Sequence, residues 1–269
     1  MSGRAKKALG QNFLIDPNLQ RKIVAELEAD TADVVVEIGP GHGELSAHLE
    51  GRVHRLVLIE KDRELAVSLV ERWGETEGID ILSADALEVD LGGFYEAGRS
   101  LRIMSNVPYN VTSPLLFAFL AIRPLPRRIV LTVQREVAER VVAMPGSRTY
   151  GALSVGVQAV ADARIAFGVG RQAFRPVPDV ESSVLVIDPV PARAEGLDVD
   201  GLRTVTRALF SRRRKQIQKI IRTAPEFEAA TDLGSVLTSL GVSPTDRPEV
   251  LAPSDFIAIA RAIRRDTES

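Results

Sequence analysis

"VVVEIGPGHGEL" (34–45) contains a β-branched run that is followed by Gly39, Gly41 and Gly43. The run predicts a buried strand, and a glycine-rich loop between a strand and a helix lets a ligand lie against bare backbone near the helix N-terminus. The G-x-G-x-G spacing differs from the G-x-G-x-x-G of dinucleotide-binding loops. It therefore favours a ligand without a pyrophosphate, although a purely structural strand–helix turn has the same pattern.

The sequence around this stretch alternates between strand and helix patterns. Strand patterns cover 34–39, 55–60, 79–85, 101–106 and 127–134, and helical patterns cover 16–28, 40–49, 64–73, 113–122 and 135–143. This alternation predicts an α/β fold, in which helices cover both faces of a mostly parallel sheet. Two later strand patterns, 163–170 and 182–189, lie too close together for a crossover helix. At least one of them is therefore expected to run antiparallel.

Strand patterns stop after the proline-punctuated stretch "DPVPAR" (188–193). The remaining patterns, 199–222, 232–240 and 254–265, are helical. We therefore expect two domains, an α/β domain over residues 1–190 and a smaller all-helical C-terminal domain over residues 191–269.

Composition narrows the classes of protein to which this chain can belong. The 269 residues are 45% hydrophobic and 26% charged, which is typical of a globular protein, and they include no cysteine and three scattered histidines. No metal site is expected from this set. The sequence has no apolar run long enough to span a bilayer and no signal-peptide pattern, so we expect a cytoplasmic protein without a membrane partner. The net charge is −2, yet residues 203–222 carry eight Lys or Arg and no acid, which indicates a local anionic partner.

Acidic side chains stand at the ends of two neighbouring predicted strands. Glu60 ends the second strand and Asp85 the third, so both are expected at the sheet edge that carries the glycine loop. A carboxylate at the first position can accept both hydroxyls of a ribose, and one at the second can accept from the exocyclic amine of an adenine. Alternatively, Glu60 is a solvated charge paired with Lys61, and Asp85 is a helix N-cap.

The fourth strand ends in "SNVPYN" (105–110). Asn106 offers a side-chain carbonyl, and Pro108 restricts the backbone of Val107, so that two oxygen acceptors converge. Tyr109 adds a ring face for stacking. This set suits an amino group on an aromatic base, whereas the alternative is a polar turn with a core-facing tyrosine.

Together these motifs resemble the KsgA family of S-adenosylmethionine-dependent rRNA adenine N6,N6-dimethyltransferases, which is related to the Erm resistance methylases. The resemblance runs over nearly the whole chain, through "LGQNFLID" (9–16), "EIGPGHGELS" (37–46), "NVPYNVTSPLLF" (106–117), "FRPVPDVESSV" (174–184), "RRRKQIQ" (212–218) and "RPEVL" (247–251).

The resemblance implies a Rossmann-like class I methyltransferase fold with S-adenosylmethionine as methyl donor. The candidate donor-binding residues are Asn12, Leu14, Gly39, Gly41, Glu60, Asp85 and Asn106. It further implies a substrate of two adjacent adenosines in the 3′-terminal hairpin loop of small-subunit (16S) rRNA, within free rRNA or an immature 30S subunit, and a role in ribosome biogenesis. We expect the enzyme to act as a monomer.

Two further groups complete the expected site. Phe174 is the candidate for a second ring face on the extruded base, with a core aromatic as the alternative. The candidate phosphate contacts, expected to fan around a helix, are Arg212, Arg213, Arg214 and Lys215.

Three other functions are compatible with parts of the sequence. An Erm-like enzyme would act on 23S rRNA, and a ribosome-assembly or transcription factor would bind RNA without catalysis. An NAD-dependent oxidoreductase is disfavoured by the glycine spacing and by the lack of a nearby proton donor.

Overall fold

The computed structural model describes residues 11–107, 111–227 and 233–267. Within these ranges the chain forms two compact units. The first runs to Ala138 and continues from Ala163 to Pro189, and the second comprises Glu139–Asp162 and the residues from Val190 onward. The predicted division at residue 190 therefore left the segment 139–162 in the wrong unit.

The described strands form one large sheet and one small one. The large sheet has seven strands in the order β4-β3-β2-β5-β6-β9-β7, and β1 pairs with β8 in a separate antiparallel ribbon. The strands are β1 (Phe13–Leu14), β2 (Val34–Ile38), β3 (Arg55–Glu60), β4 (Ile79–Ser83), β5 (Leu101–Asn106), β6 (Arg128–Gln134), β7 (Ala161–Val169), β8 (Phe174–Arg175) and β9 (Ser182–Pro189).

The pairing confirms the predicted mixed sheet. Strands β4, β3, β2, β5 and β6 are parallel neighbours, and β9 runs antiparallel to β6. The carboxyl ends of β2, β3 and β5 therefore meet at one edge, which is where open α/β sheets bind their ligands.

The helices of the described residues fall into both units. They are α1 (Pro17–Leu27), α2 (Arg63–Trp73), α3 (Thr112–Ala121), α4 (Arg135–Val141), α5 (Ala152–Gln158), α6 (Pro191–Ala194), α7 (Val199–Ser211), α8 (Ile217–Ile221), α9 (Leu233–Ser239) and α10 (Pro253–Thr267). None of them has the length and apolar character that crossing a bilayer requires.

The predicted start of α1 is confirmed in atomic detail. The Asp16 carboxylate accepts hydrogen bonds from the backbone N–H groups of Asn18 (2.8 Å) and Leu19 (3.2 Å), and Pro17 occupies the first turn, where a missing N–H has no cost. Ile23 and Leu27 are buried in the core beneath the sheet. Helix α1 is thus fixed at its N-terminus and along its apolar face.

The helix expected directly after the glycine loop does not form. Residues 41–45 are turns, and only a short 3₁₀ helix, Ser46–His48, follows. The reason lies in the loop, because Gly39, Gly41 and Gly43 have φ angles of 65°, 64° and 81° and are therefore left-handed. A Cβ on Gly43 would lie 2.4 Å from the Trp73 ring, so the close approach of this ring also requires glycine.

The second unit has its own aromatic core, and this core explains why 139–162 belongs there. Tyr150 is fully buried, and its hydroxyl donates to the Leu251 carbonyl at 2.8 Å. Its ring packs edge-on against Phe210, which stacks on Phe256. A segment belongs to the unit in which its side chains are buried, and the sequence pattern did not identify α5 or the core around Tyr150.

A buried ion pair lies in the first unit, between Arg102 of β5 and Asp33, the residue before β2. Arg102 Nε lies 2.6 Å from Asp33 Oδ2, and both side chains are less than a tenth exposed. The same guanidinium donates to the Leu27 carbonyl at the end of α1. A charge removed from such a pair leaves its partner buried without compensation.

We expect Asp33→Ala to lower the free energy of unfolding by about 3–5 kcal/mol, because it leaves Arg102 uncompensated. The matched control is Glu181→Ala, which breaks the half-exposed pair with Arg135 in the same unit and is expected to cost about 0–1 kcal/mol. Urea unfolding of the two variants measures both values. Equal losses would contradict the assignment of Asp33–Arg102 as the stabilising pair.

Candidate active site

A cavity of about 210 Å³ lies at the carboxyl edge of the parallel strands. Its walls are mostly apolar, and they include side chains from the segment before β1 and from the ends of β2, β3 and β5. The residues that sequence analysis selected and that line it are Asn12, Leu14, Gly39, Gly41, Glu60, Asp85, Asn106 and Val107. Residues distant in sequence are thus brought to one site.

The glycine loop is held by hydrogen bonds that its backbone N–H groups donate. The N–H of Gly39 donates to the Ile59 carbonyl at 2.9 Å, and the N–H of Gly41 donates to Glu60 Oε2 at 3.1 Å. A Cβ at Gly41 would lie 3.0 Å from the Phe13 ring. Gly39 and Gly41 have no side chains, so they line the cavity with bare backbone.

Glu60 is buried and holds the loop in place. Its Oε2 accepts from Gly41 and its Oε1 from the N–H of Asp62 at 2.9 Å. Burial raises the pKa of this carboxyl. Each carboxylate oxygen has a second lone pair, so Glu60 can still accept from a ligand hydroxyl.

Asp85 also lines the cavity, and a different set of contacts holds it. Lys61 Nζ lies 2.6 Å from Asp85 Oδ2, and the N–H of Leu87 donates to Oδ1 at 3.0 Å. The ammonium of Lys61 lowers the pKa of Asp85. Lys61, considered above as a partner of Glu60, thus keeps Asp85 ionised as an acceptor.

Glu37 is a cavity residue that sequence analysis missed. Its side chain is 1% exposed, and its Oε2 accepts from the Ser46 hydroxyl at 2.6 Å. Burial raises its pKa to about 8, aided by Glu44 and Glu60 and opposed by the bond from Ser46. The signal in the sequence was an acid inside the run "VVVEIG", where only apolar residues are needed.

Asn106 is fixed by a bond to the N-terminal segment. Its Nδ2 donates to the backbone carbonyl of Asn12 at 2.9 Å, which directs the amide oxygen to the other side. The preceding residue, Ser105, donates to the Ile38 carbonyl at 2.7 Å, and the N–H of Val107 donates to Thr132 O at 3.1 Å. Pro108 and Tyr109 lie outside the described residues, so their expected roles stay predictions.

Phe174 does not lie where its expected role requires. Its side chain is 1% exposed and belongs to the core with Leu14, its partner across β1 and β8. A ring with no accessible face cannot stack on a base in this conformation. This burial favours the alternative of a core aromatic, and the second stacking face at Phe174 stays a prediction.

The four consecutive basic residues lie in a turn and not around a helix. Helix α7 ends at Ser211 and α8 begins at Ile217, so the predicted continuous helix 199–222 is wrong at this point. Arg213 is tied down by the Arg148 carbonyl (3.3 Å) and Glu249 (3.5 Å). In the part of the chain that the structure describes, the exposed Arg214 and Lys215 form no ion pair.

No group of three acidic or histidine side chains that could hold a metal ion occurs among the described residues.

Comparisons with known proteins add an independent line of evidence. The sequence model of the family described as "Ribosomal RNA adenine dimethylase" matches residues 3–244. A protein of Maridesulfovibrio salexigens named "Ribosomal RNA small subunit methyltransferase A" is 38% identical over 267 residues, which cover 99% of this chain and 98% of that protein.

Two crystal structures share the fold. A dimethyladenosine transferase from Plasmodium falciparum superimposes with a TM-score of 0.82 at 23% identity, over 95% of this chain and 98% of that one. The 23S rRNA methyltransferase ErmE gives 0.70 at 22% identity, over 94% and 99%. At these identities the likeness shows a Rossmann-like methyltransferase fold, and it does not distinguish substrates.

We expect wild-type protein to lose stability relative to Glu37→Gln as the pH rises from about 5 to 8. The folded-state pKa of Glu37 is about 8 and lies above its ordinary value of 4.5, so the folded state binds the extra proton in this window. Urea unfolding across that range measures the difference.

A companion variant, Ser46→Ala, removes the bond that favours the ionised form. This variant should extend the loss of stability to higher pH. Parallel pH profiles for wild type and Glu37→Gln would show that Glu37 does not titrate in this window.

Proposed function

The chain belongs to the ribosomal RNA adenine dimethylase family, and from that membership we propose that it dimethylates N6 of two adjacent adenosines in the 3′-terminal hairpin loop of small-subunit rRNA. It is an S-adenosylmethionine-dependent rRNA methyltransferase. The proposed substrate is 16S rRNA, free or in an immature 30S subunit in the cytoplasm, and the enzyme acts there as a monomer. The name of the full-length relative supports the small subunit over 23S rRNA.

The chemistry of the cavity fits the methyl donor. Glu60 would accept from the ribose hydroxyls of the donor and Asp85 from its adenine amine, and Gly39 and Gly41 would contact it through their backbone. Asn12 and Leu14 close the same cavity from the N-terminal side. Carboxylates in an apolar wall suit a ligand that carries positive charge. When bound, S-adenosylmethionine supplies an electrophilic methyl group.

The single observation that carries the proposed chemistry is the fixed amide of Asn106. Because Nδ2 is held by the Asn12 carbonyl, Oδ1 can accept one N–H of the substrate amine, and the Val107 carbonyl accepts the other. The N6 lone pair of adenine is delocalised into the ring, which makes N6 a poor nucleophile. Two fixed acceptors favour the more tetrahedral, positive nitrogen that forms as it attacks, which is electrostatic preorganisation.

The proton of N6 needs no dedicated base. Once the nitrogen carries a new methyl group and a positive charge, its proton is acidic and leaves to water. The target base leaves its stack to reach the site. Tyr109 is proposed to hold one face of it.

Phosphates of the RNA are bound by the basic turn between α7 and α8. Arg214 and Lys215 are its exposed members, whereas Arg212 and Arg213 are half-buried. Point charges on a turn bind backbone phosphate without reading sequence, so the choice of site depends on the shape of the RNA and on its splayed bases.

The function is tested by labelled methyl transfer to small-subunit particles lacking this modification, with free 23S rRNA as the second substrate. We expect transfer to the small subunit, with dimethyladenosine in the 3′-terminal loop by mass spectrometry. Transfer to 23S rRNA alone would support an Erm-like enzyme. Stable binding without transfer would support the non-catalytic assembly factor.

In the same assay Asn106→Ala is expected to lower the rate by about 10²–10³-fold, because it removes one preorganised acceptor. The control is Asn18→Ala, which alters an exposed amide on α1 and should leave the rate unchanged. Substantial turnover by Asn106→Ala would count against its proposed role.

Arg214→Gln is expected to weaken RNA binding and to reduce the slope of log affinity against log salt by about one, as for the loss of one phosphate contact. The control is Arg193→Gln in the same unit, whose partly exposed guanidinium is paired with Asp162. Filter binding over a salt series measures both slopes. Equal slopes for wild type and Arg214→Gln would exclude a phosphate contact at Arg214.

A further inference from the structure

The N-terminal wall of the cavity includes a very short strand. Strand β1 is two residues long and, among the described residues, pairs with the equally short β8, and the N–H of Ile15 donates to the Ala173 carbonyl at 2.8 Å. Nevertheless, Asn12 and Leu14 line the cavity, and Asn12 holds the amide of Asn106. Both cofactor binding and the orientation of Asn106 therefore depend on the position of this short segment.

Gln20 on α1 holds this segment through a side-chain hydrogen bond. Its side chain is 9% exposed, and its Nε2 donates to the Leu14 carbonyl at 2.7 Å. Its Oε1 lies 3.2 Å from Nε2 of His48, in the 3₁₀ helix that follows the glycine loop. One side chain thus connects the N-terminal wall with the 3₁₀ helix that follows the glycine loop, and it does not line the cavity itself.

The direction of these hydrogen bonds follows from their atoms. A carbonyl can only accept, so the Gln20 amide must direct its nitrogen to Leu14 and its oxygen to His48. His48 must then carry its proton on Nε2. Burial, with help from Arg21 and Arg52, lowers the pKa of His48, so the neutral imidazole that this bond uses is the form present at neutral pH.

We propose that Gln20 is a positioning residue for methyl transfer. It holds the Leu14 carbonyl, and through it Asn12, so that the cofactor wall and the Asn106 amide keep their places. The inference rests on the proposed function of the cavity. A displacement of about 1 Å in such a wall is sufficient to cost up to 10²-fold in rate.

The test measures the Kd of S-adenosylmethionine by titration calorimetry, without RNA. We expect Gln20→Leu to raise this Kd about tenfold, because the freed segment no longer holds the wall in the binding geometry. Gln20→Glu keeps the shape and the acceptor for His48 but, when ionised, has no donor for Leu14. It should raise the Kd to a similar extent, and it provides the same comparison if Gln20→Leu does not fold.

The matched control is Gln158→Leu. Gln158 makes the same kind of bond in the second unit, where its Nε2 donates to the Val141 carbonyl at 2.7 Å. This variant should lose thermal stability and keep the wild-type Kd. A folded Gln20 variant with wild-type Kd, or an equal rise in Gln158→Leu, would overturn the positioning role. Failure of the wild type to bind S-adenosylmethionine would instead reject the proposed function.

Kinetics provide a second readout. In methyl transfer, Gln20→Leu should raise the KM for S-adenosylmethionine and also lower kcat, since the Asn106 amide is released as well. A change in neither constant would contradict the proposal.

Discussion

The hydrogen bond from Asn106 to the Asn12 carbonyl joins residues 94 positions apart in the chain. It defines which atom of the Asn106 amide can accept, and the proposed stabilisation of charge on an attacking nitrogen at the end of β5 depends on this orientation. Other contacts hold the neighbouring parts of the site. Ser105 ties β5 to β2, Gln20 donates to the Leu14 carbonyl, and Gly39 and Gly41 of the glycine loop line the same cavity.

Buried carboxyl groups determine the electrostatics of the cavity. Glu37 and Glu60 both have raised pKa values because burial disfavours their charged forms, whereas Lys61 holds Asp85 ionised at the wall. A cationic ligand would favour the ionised forms of all three acids. Raised carboxyl pKa values are frequent at functional sites, and here they occur in the cavity that is proposed to bind a positively charged methyl donor.

The sequence was sufficient to predict the sheet and most of the residues that line the cavity, because the ends of strands in a parallel sheet meet at one edge. Glu60, Asp85 and Asn106 are found this way. Prediction from the sequence failed where tertiary packing overrides the local sequence pattern. The glycine backbone prevents the expected helix, and the core around Tyr150 moves 139–162 to the second unit. Glu37 was missed although an acid inside an apolar run was a signal, because the run as a whole matched the pattern of a buried strand.

The pairing of Leu14 with Phe174 has a consequence for the order in which the molecule is made. During synthesis, the N-terminal segment emerges first but has no strand to join until Arg175 has left the ribosome. The sheet from β2 to β6 can assemble earlier, because its neighbouring strands are all encoded before residue 135. A nascent chain thus acquires its scaffold well before it can close the pocket, and a truncated product would have the architecture without a complete site.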